Sequence, residues 1–296
     1  MKVVRVSRPV LSKRLLLGHL RLYLAMRERV WRQNRQDEFR LLILAGVFFI
    51  LGVLVFSVEG YVTGFIPVQR IGLALLPQAV WENITFFGDA LVAMVVVLLF
   101  SYRHPRIVIV VLASLLVGTI CIHGLKALLQ VSRPAAVFGE HAITVIGPAL
   151  KYGSMPSGHT ATVFILASLL CRCTRLLSAK VLIFTMAAVV ACSRVVCGAH
   201  WPVDVFFGAS VGLVVVWACL RFTQRIPLSV GLYGGICTLL VACGLYLYGF
   251  DGGFTYTKTT SELLAFAVLF YWFFSWVLEL GFRPLIRQRR KLNLSV

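Results

Sequence analysis

The sequence predicts an all-α membrane protein, a polytopic bundle of about eight transmembrane helices. Of its 296 residues, 59% are hydrophobic and only 14% are charged, a balance that soluble domains of this length do not have. Apolar runs of about 18 residues or more recur along the chain, and each is long enough to cross a bilayer. Because lipid offers no hydrogen-bond partner to an open backbone group, these runs are predicted to be helices; the strand-like alternation of a barrel is absent from the sequence.

The eight predicted spans lie at about 41–58, 84–101, 107–129, 160–177, 180–196, 203–220, 230–249 and 262–281. We expect three parts: a basic N-terminal segment (1–40), a six-span core (41–225), and two extra spans with a basic tail (226–296). The first forty residues carry eleven Lys and Arg against three acids. This composition predicts either a helix on an anionic membrane surface or a partly ordered tail that only fixes orientation.

The net charge of +18 is read as membrane topology. Basic residues cluster in both tails and in the turns after the second, fourth and sixth spans, which places both termini in the cytoplasm. An even number of spans satisfies this arrangement. No nucleic-acid partner is expected, because no binding fold accompanies the charge. The eight cysteines lie mostly inside apolar runs, which is typical of small buried side chains.

Three polar patches interrupt this apolar chain: Lys126–Pro134 (KALLQVSRP), Pro156–His159 (PSGH) and Ser193–Asp204 (SRVVCGAHWPVD). Each patch falls where a span begins or ends, and span parity puts all three on the face opposite the basic turns. Charged groups at membrane depth are costly and usually functional. The three cations of these patches would repel one another unless an anion bound between them, and phosphate matches their donors. They are Lys126, Arg133 and Arg194.

The patches also carry the groups that phosphate-ester hydrolysis needs. Ser157–Gly158 precedes a span as an N-cap, and backbone N–H groups at a helix start attract anions. If the next helix begins near Pro202, His200 and Asp204 lie on one face, so the carboxylate fixes one ring nitrogen and leaves the other as a nucleophile. His159 is a second imidazole, suited to proton transfer. Asp204 is the sole carboxylate in the patches, so we predict neither a metal site nor a cofactor.

The joint spacing Lys-x6-Arg-Pro, Pro-Ser-Gly-His and Ser-Arg-x5-His-x3-Asp resembles the tripartite signature of the type 2 phosphatidic acid phosphatase family, which is related to vanadium haloperoxidases. The resemblance covers about residues 84–220. It implies a metal-free mechanism in which His200 attacks phosphorus, Asp204 orients it, and His159 protonates the leaving oxygen and later activates water. It also implies phosphate binding by Lys126, Arg133, Ser157, Gly158 and Arg194. The long N-terminal segment and the last two spans depart from the family's six-helix core.

These expectations describe a lipid phosphatase of a bacterial inner membrane with a periplasmic site. Its partner is a phosphorylated membrane lipid: a polyprenyl diphosphate, a lipid A phosphate, phosphatidylglycerol phosphate or phosphatidic acid. A phosphotransferase that passes the phosphoryl group to another lipid is one alternative. A non-enzymatic anion transporter is another, although it leaves the His–Asp pair without a role. The sequence gives no oligomeric state.

Overall fold

The computed structural model describes residues 13–33, 37–139 and 142–292, and in these residues the chain is helical with no strand. The predicted all-helical class is therefore confirmed. The helices are α1 (Lys13–Gln33), α2 (Asp37–Glu59), α3 (Phe65–Leu75), α4 (Gln78–Phe86), α5 (Ala90–Ser101), α6 (Ile107–Leu129), α7 (Pro134–Phe138), α8 (Gly158–Arg172), α9 (Leu177–Val196), α10 (Pro202–Thr223), α11 (Val230–Leu247) and α12 (Lys258–Leu292).

Within the described ranges, six helical segments are long and apolar enough to cross a membrane. They are Glu38–Val62, Ile107–Phe138, Leu177–Val196, Pro202–Thr223, Val230–Leu247 and Lys258–Leu278. The other two predicted spans correspond to α8, which has only 15 residues, and to the pair α4–α5, which is bent by 63°. Counting the bent pair as one span gives seven, so the predicted count of eight is not confirmed.

The predicted continuous span over 84–101 is instead two helices that meet at Gly88 and Asp89. The carboxylate of Asp89 accepts a hydrogen bond of 2.7 Å from the backbone N–H of Leu91 and so caps the start of α5. A side chain that satisfies a free helical N–H makes a new helix start possible inside an apolar run. The bend brings the end of α4 to the same end of the bundle as the three polar patches.

Helix α10 is the centre of the bundle and packs against α2, α6, α8 and α9. Its contact with α8 depends on Gly208 and Gly212, which form a small-xxx-small pair. A Cβ atom at Gly208 would lie 2.5 Å from the carbonyl oxygen of Ser157, and one at Gly212 would lie 2.5 Å from that of Ala161. The two backbones therefore touch at the start of α8, where the second polar patch lies.

The basic turns meet at the opposite end of the bundle. Arg106, between α5 and α6, pairs with Glu28 of α1 and donates a hydrogen bond of 2.5 Å to the carbonyl oxygen of Thr223, the last residue of α10. Arg172, at the end of α8, lies 3.4 Å from Glu38 at the start of α2. The predicted N-terminal helix is thus docked on the bundle over Lys13–Gln33, and the rest of the basic segment before it lies outside the described residues.

The two C-terminal helices pack on the bundle through α5: α11 and α12 both contact it, and they contact each other. The loop between them reaches the end that carries the polar patches. There Phe254 is buried with Trp81, Val196 and Cys197. The three-part division of the chain at residues 40 and 225 stays a prediction, since the last two helices share a hydrophobic core with α5, α6, α8 and α10.

Candidate active site

The predicted His–Asp pair forms at the junction of α9 and α10. Nδ1 of His200 lies 3.2 Å from Oδ2 of Asp204, and both side chains are buried. Pro202 occupies the first turn of α10, as the sequence predicted. A carboxylate only accepts hydrogen bonds, so this contact holds the proton on Nδ1 and leaves Nε2 with its lone pair. The pair has the geometry of an oriented imidazole nucleophile.

Asp204 is itself held by two further donors. Its Oδ2 accepts a hydrogen bond of 2.9 Å from the backbone N–H of Trp201 and one of 2.5 Å from the hydroxyl of Ser154. Hydrogen bonds to the charged form of a carboxylate favour that form. These contacts therefore oppose the effect of complete burial and fix the carboxylate against the His200 ring.

The loop before α8 connects the first patch to this pair. The carbonyl oxygen of Gly153 accepts hydrogen bonds from Nζ of Lys126 at 2.7 Å and from the Arg133 guanidinium at 3.4 Å. The other terminal nitrogen of Arg133 donates to the carbonyl oxygen of Ala199, at 3.1 Å, directly before His200. Lys126 and Arg133 are thus tied to the same loop, and Arg133 is also tied to the residue that precedes the candidate nucleophile.

The third cation, Arg194, lies in the last turn of α9 and is buried. Its backbone carbonyl accepts a hydrogen bond of 3.2 Å from the N–H of His200. One terminal nitrogen of its guanidinium donates to the hydroxyl of Thr85 at 2.6 Å. The end of α4 therefore orients this guanidinium at the bend between α4 and α5.

Ser157 caps α8, and its hydroxyl oxygen accepts from the N–H of Thr160 at 3.4 Å. The backbone N–H of Ser157 donates to the carbonyl oxygen of Asp204 at 3.0 Å, which fixes the start of α8 against the start of α10. Gly158 and His159 are the first two residues of the helix, and both are half-buried. The free N–H groups of this first turn and the His159 ring belong to the same end of the bundle.

The cations around His200 change its acidity. Burial lowers the pKa of His200 well below its usual 6.5, and the positive charges of Arg133, Arg194 and Lys126 lower it further. His159 contributes to the same shift. The ring is therefore neutral at neutral pH, which is the form that can attack an electrophile.

All eight predicted site residues are thus gathered at one end of the bundle, and four supporting residues were missed. Ser154 and Thr85 contact Asp204 and Arg194 as described above, and Gly208 allows α8 to approach α10. Gly88 lies against His159: a Cβ atom there would be 2.9 Å from Cβ of that histidine. The polar Gly–Asp pair inside the second apolar run was the available signal for Gly88; nothing local marked Ser154 or Thr85.

In the described part of the chain, no three side chains of His, Cys, Asp or Glu come together as a metal site. The side chains that converge beside His200 are cationic, and they suit an anion with several acceptor oxygens. A buried His–Asp pair beside three cations, held at one end of an apolar helical bundle, can bind an anion and present a nucleophilic imidazole to it.

Comparison with known proteins finds a family that one segment of the chain resembles. Residues 107–227 match the model of the PAP2 superfamily, and this range contains all eight predicted site residues. This segment of the chain is therefore similar to the PAP2 superfamily, which agrees with the resemblance seen in the sequence. Among solved structures, the crystal structure of Aquifex aeolicus LpxE aligns with a TM-score of 0.48 and 24% identity, over 53% of this chain and 92% of that chain. No curated protein matches the chain.

Proposed function

We propose that this protein is an integral membrane lipid phosphatase that works through a phosphohistidine at His200. The observation that carries the proposal is the buried His200–Asp204 contact, with the Arg133 and Arg194 hydrogen bonds on either side of it. The match of residues 107–227 to the model of the PAP2 superfamily supports it. A phosphorylated lipid is the natural substrate, since a site at the end of a membrane bundle meets ester groups at headgroup level.

The reaction takes two steps. Nε2 of His200 attacks phosphorus and forms a P–N bond while the bond from phosphorus to the lipid oxygen breaks. Burial and the cations lower the pKa of His159 in the free protein; the negative charge of the bound phosphate offsets these cations, so that His159 enters the step protonated and gives the lipid oxygen its proton. The neutral His159 then takes a proton from water, whose oxygen attacks the phosphohistidine and releases inorganic phosphate. Asp204 stabilises the positive charge on the His200 ring in both steps.

Charge on the transferring group is stabilised by fixed donors. Lys126, Arg133 and Arg194 face its equatorial oxygens, where such donors act most strongly out of water. Ser157 and Gly158 add the start of α8, whose backbone N–H groups and dipole favour an anion. The mechanism uses no metal ion, since the cations of the chain supply the positive charge.

The substrate is a polyprenyl diphosphate, a lipid A phosphate, phosphatidylglycerol phosphate or phosphatidic acid. The protein lies in a bacterial inner membrane with its basic turns in the cytoplasm and its site on the periplasmic face. The positive-inside rule supports this orientation, because the basic turns and the docked α1 share the end opposite His200. The six-span core, 41–225, carries the site, and the last two spans support it.

The test is phosphate release by purified protein in detergent and EDTA across these lipids, with His200→Ala as the variant. Release that persists in EDTA and falls by about 10³-fold or more in the variant supports the mechanism. Release abolished by EDTA contradicts the metal-free step. If labelled phosphate passes to a lipid hydroxyl and none is freed, the protein is a phosphotransferase; full release by His200→Ala contradicts the proposal outright.

A further inference from the structure

A pocket of about 260 Å³ adjoins the candidate active site and has no role in the phosphate chemistry. It lies between the end of α2, the segment that joins α6 to α7, and the start of α10. Four of its six lining side chains are apolar or indole, and two carry a hydroxyl. They are Tyr61, Val62, Val131, Ser132, Val137 and Trp201.

The inner wall of the pocket is formed by residues that are next in the chain to two site residues. Trp201 directly follows His200, and Ser132 directly precedes Arg133. The indole N–H of Trp201 donates a hydrogen bond of 2.8 Å to the carbonyl oxygen of Ser132, so the indole is fixed beside both. The wall of the pocket therefore lies one residue from both His200 and Arg133.

The outer wall opens toward the bilayer. Val62 ends the apolar span Glu38–Val62, and Val137 belongs to α7, at the end of the span Ile107–Phe138. These two side chains are 41% and 56% exposed. On the far side the hydroxyl of Tyr61 is engaged with Sδ of Met155 at 3.3 Å. Hydrocarbon can thus enter from the membrane and meet few polar groups inside the pocket.

We propose that this pocket binds the first methylenes of a single hydrocarbon chain joined to the phosphate of the substrate; the inference rests on the proposed phosphatase function. Its volume is below the roughly 300–1,000 Å³ of pockets that take whole small molecules, so it accepts one stretch of chain. A sugar or peptide headgroup would bury polar groups against these side chains without hydrogen bonds. The pocket therefore favours substrates whose chain begins close to the phosphate.

The experiment uses butyl, octyl and dodecyl phosphate at equal mole fraction in detergent micelles, with kcat/KM measured for the full-length protein. Each methylene that the pocket buries should raise kcat/KM by about fourfold, until the pocket is full. Val137→Trp fills the pocket from α7, and Val62→Trp fills it from the turn that follows α2. Val181→Trp on α9 is the matched control, because Val181 is 57% exposed and lies outside the pocket.

We expect both filling variants to lose about tenfold or more of kcat/KM on dodecyl phosphate relative to butyl phosphate, whereas the control keeps the wild-type ratio. The partitioning of each ester into the micelles is the same for the wild type and every variant, so it cancels in this comparison. If the ratio of kcat/KM on dodecyl phosphate to that on butyl phosphate is unchanged in both filling variants, the pocket does not bind the chain. An equal loss on long and short esters also contradicts the proposal, because it would mean a disturbed phosphate site. A wild type that hydrolyses none of the three esters contradicts the proposed function itself.

Discussion

Asp204 acts on the proposed reaction only through His200, whose Nδ1 lies 3.2 Å from its carboxylate. In Asp204→Asn an amide of the same shape replaces the carboxylate, so the tautomer and the positive charge on His200 lose their support. We expect kcat to fall by about 10³–10⁴-fold, as for the equivalent change in a serine protease triad. Thermal unfolding should change little, because the volume is kept.

Ser154→Ala is the graded control for that variant. It removes only one of three contacts to Oδ2 of Asp204 and leaves the Trp201 and His200 contacts in place. We therefore expect a loss of kcat much smaller than in Asp204→Asn, about tenfold. Equal losses in both variants would mean that the carboxylate is held by Ser154 rather than paired functionally with His200.

The pH dependence of kcat/KM follows from the cations around His200. The ring must be unprotonated to attack, and its pKa lies well below 6.5 through burial and the charges of Arg133, Arg194 and Lys126. When the pH falls from neutral, activity should therefore persist through pH 6.5 and decline only below it. Lys126→Met removes one positive neighbour, which raises the pKa of His200 and should move this acid limb to higher pH.

The pH at which activity declines on the acid side is read from profiles of kcat/KM against pH, measured for the wild type and Lys126→Met on one substrate. Titration of the substrate phosphate is common to both profiles and cancels in the comparison. A limb that moves to lower pH in the variant, or stays in place while activity falls, would show that the positive charge of Lys126 does not act on His200.

At the level of helices, the site depends on how closely α10 approaches α8. Gly208→Ala would place Cβ 2.5 Å from the backbone oxygen of Ser157, which cannot move without its helix. We expect a loss of about 1–3 kcal/mol in unfolding free energy and a fall in kcat, because the start of α8 is forced away from His200. Denaturant unfolding and kcat measured on the same preparation test this.

Gly234→Ala is the matched control, since a Cβ atom at this glycine of α11 has nothing within 4 Å. Alanine is the better helix former, so this variant should be neutral or more stable by up to about 1 kcal/mol. If Gly208→Ala behaves like the control, the close contact between α8 and α10 is not present in the protein.

The loop between the last two helices makes a second prediction at this scale. Phe254 is buried against Val196 and Cys197, just before the turn that carries His200, so Phe254→Ala leaves a cavity under that turn. We expect a loss of about 3–5 kcal/mol in stability together with reduced kcat. Phe254→Leu should restore part of both, and Phe266→Ala, at a side chain that is 65% exposed, should change neither. Lost stability with full kcat would limit the loop to a structural role.

Local pattern predicted most of the helices and the common location of the eight candidate site residues, because apolar runs and short polar motifs are read within a few residues. It failed where the deciding contact is distant. Ser154 and Thr85 lie 50 and 109 positions from their partners Asp204 and Arg194, so only the folded chain brings them together. It also failed at Asp89, where a capping carboxylate turned one expected span into two helices. Apolar length alone does not reveal such a bend.

Across the whole molecule, charge is divided between the two ends of the bundle. One end holds the cations that face His200, and the other holds the basic turns, with Arg106 and Arg172 paired to Glu28 and Glu38. The Arg106–Glu28 pair fixes α1 to the bundle, and in the proposed orientation the basic turns would face the anionic cytoplasmic leaflet. The proposed orientation therefore predicts which end an impermeant reagent can reach.

Leu150→Cys marks the end with the site, and Arg103→Cys marks the basic end; both side chains are exposed. Each is placed in a protein whose exposed Cys192 is replaced by alanine. On right-side-out membrane vesicles, an impermeant maleimide should label Leu150→Cys at once and Arg103→Cys only after detergent is added. The other native cysteines are buried or half-buried and are present in both proteins, so the parent Cys192→Ala sets the background. Labelling of Arg103→Cys alone before detergent would invert the topology, and the phosphate site would then face lipids of the cytoplasmic leaflet.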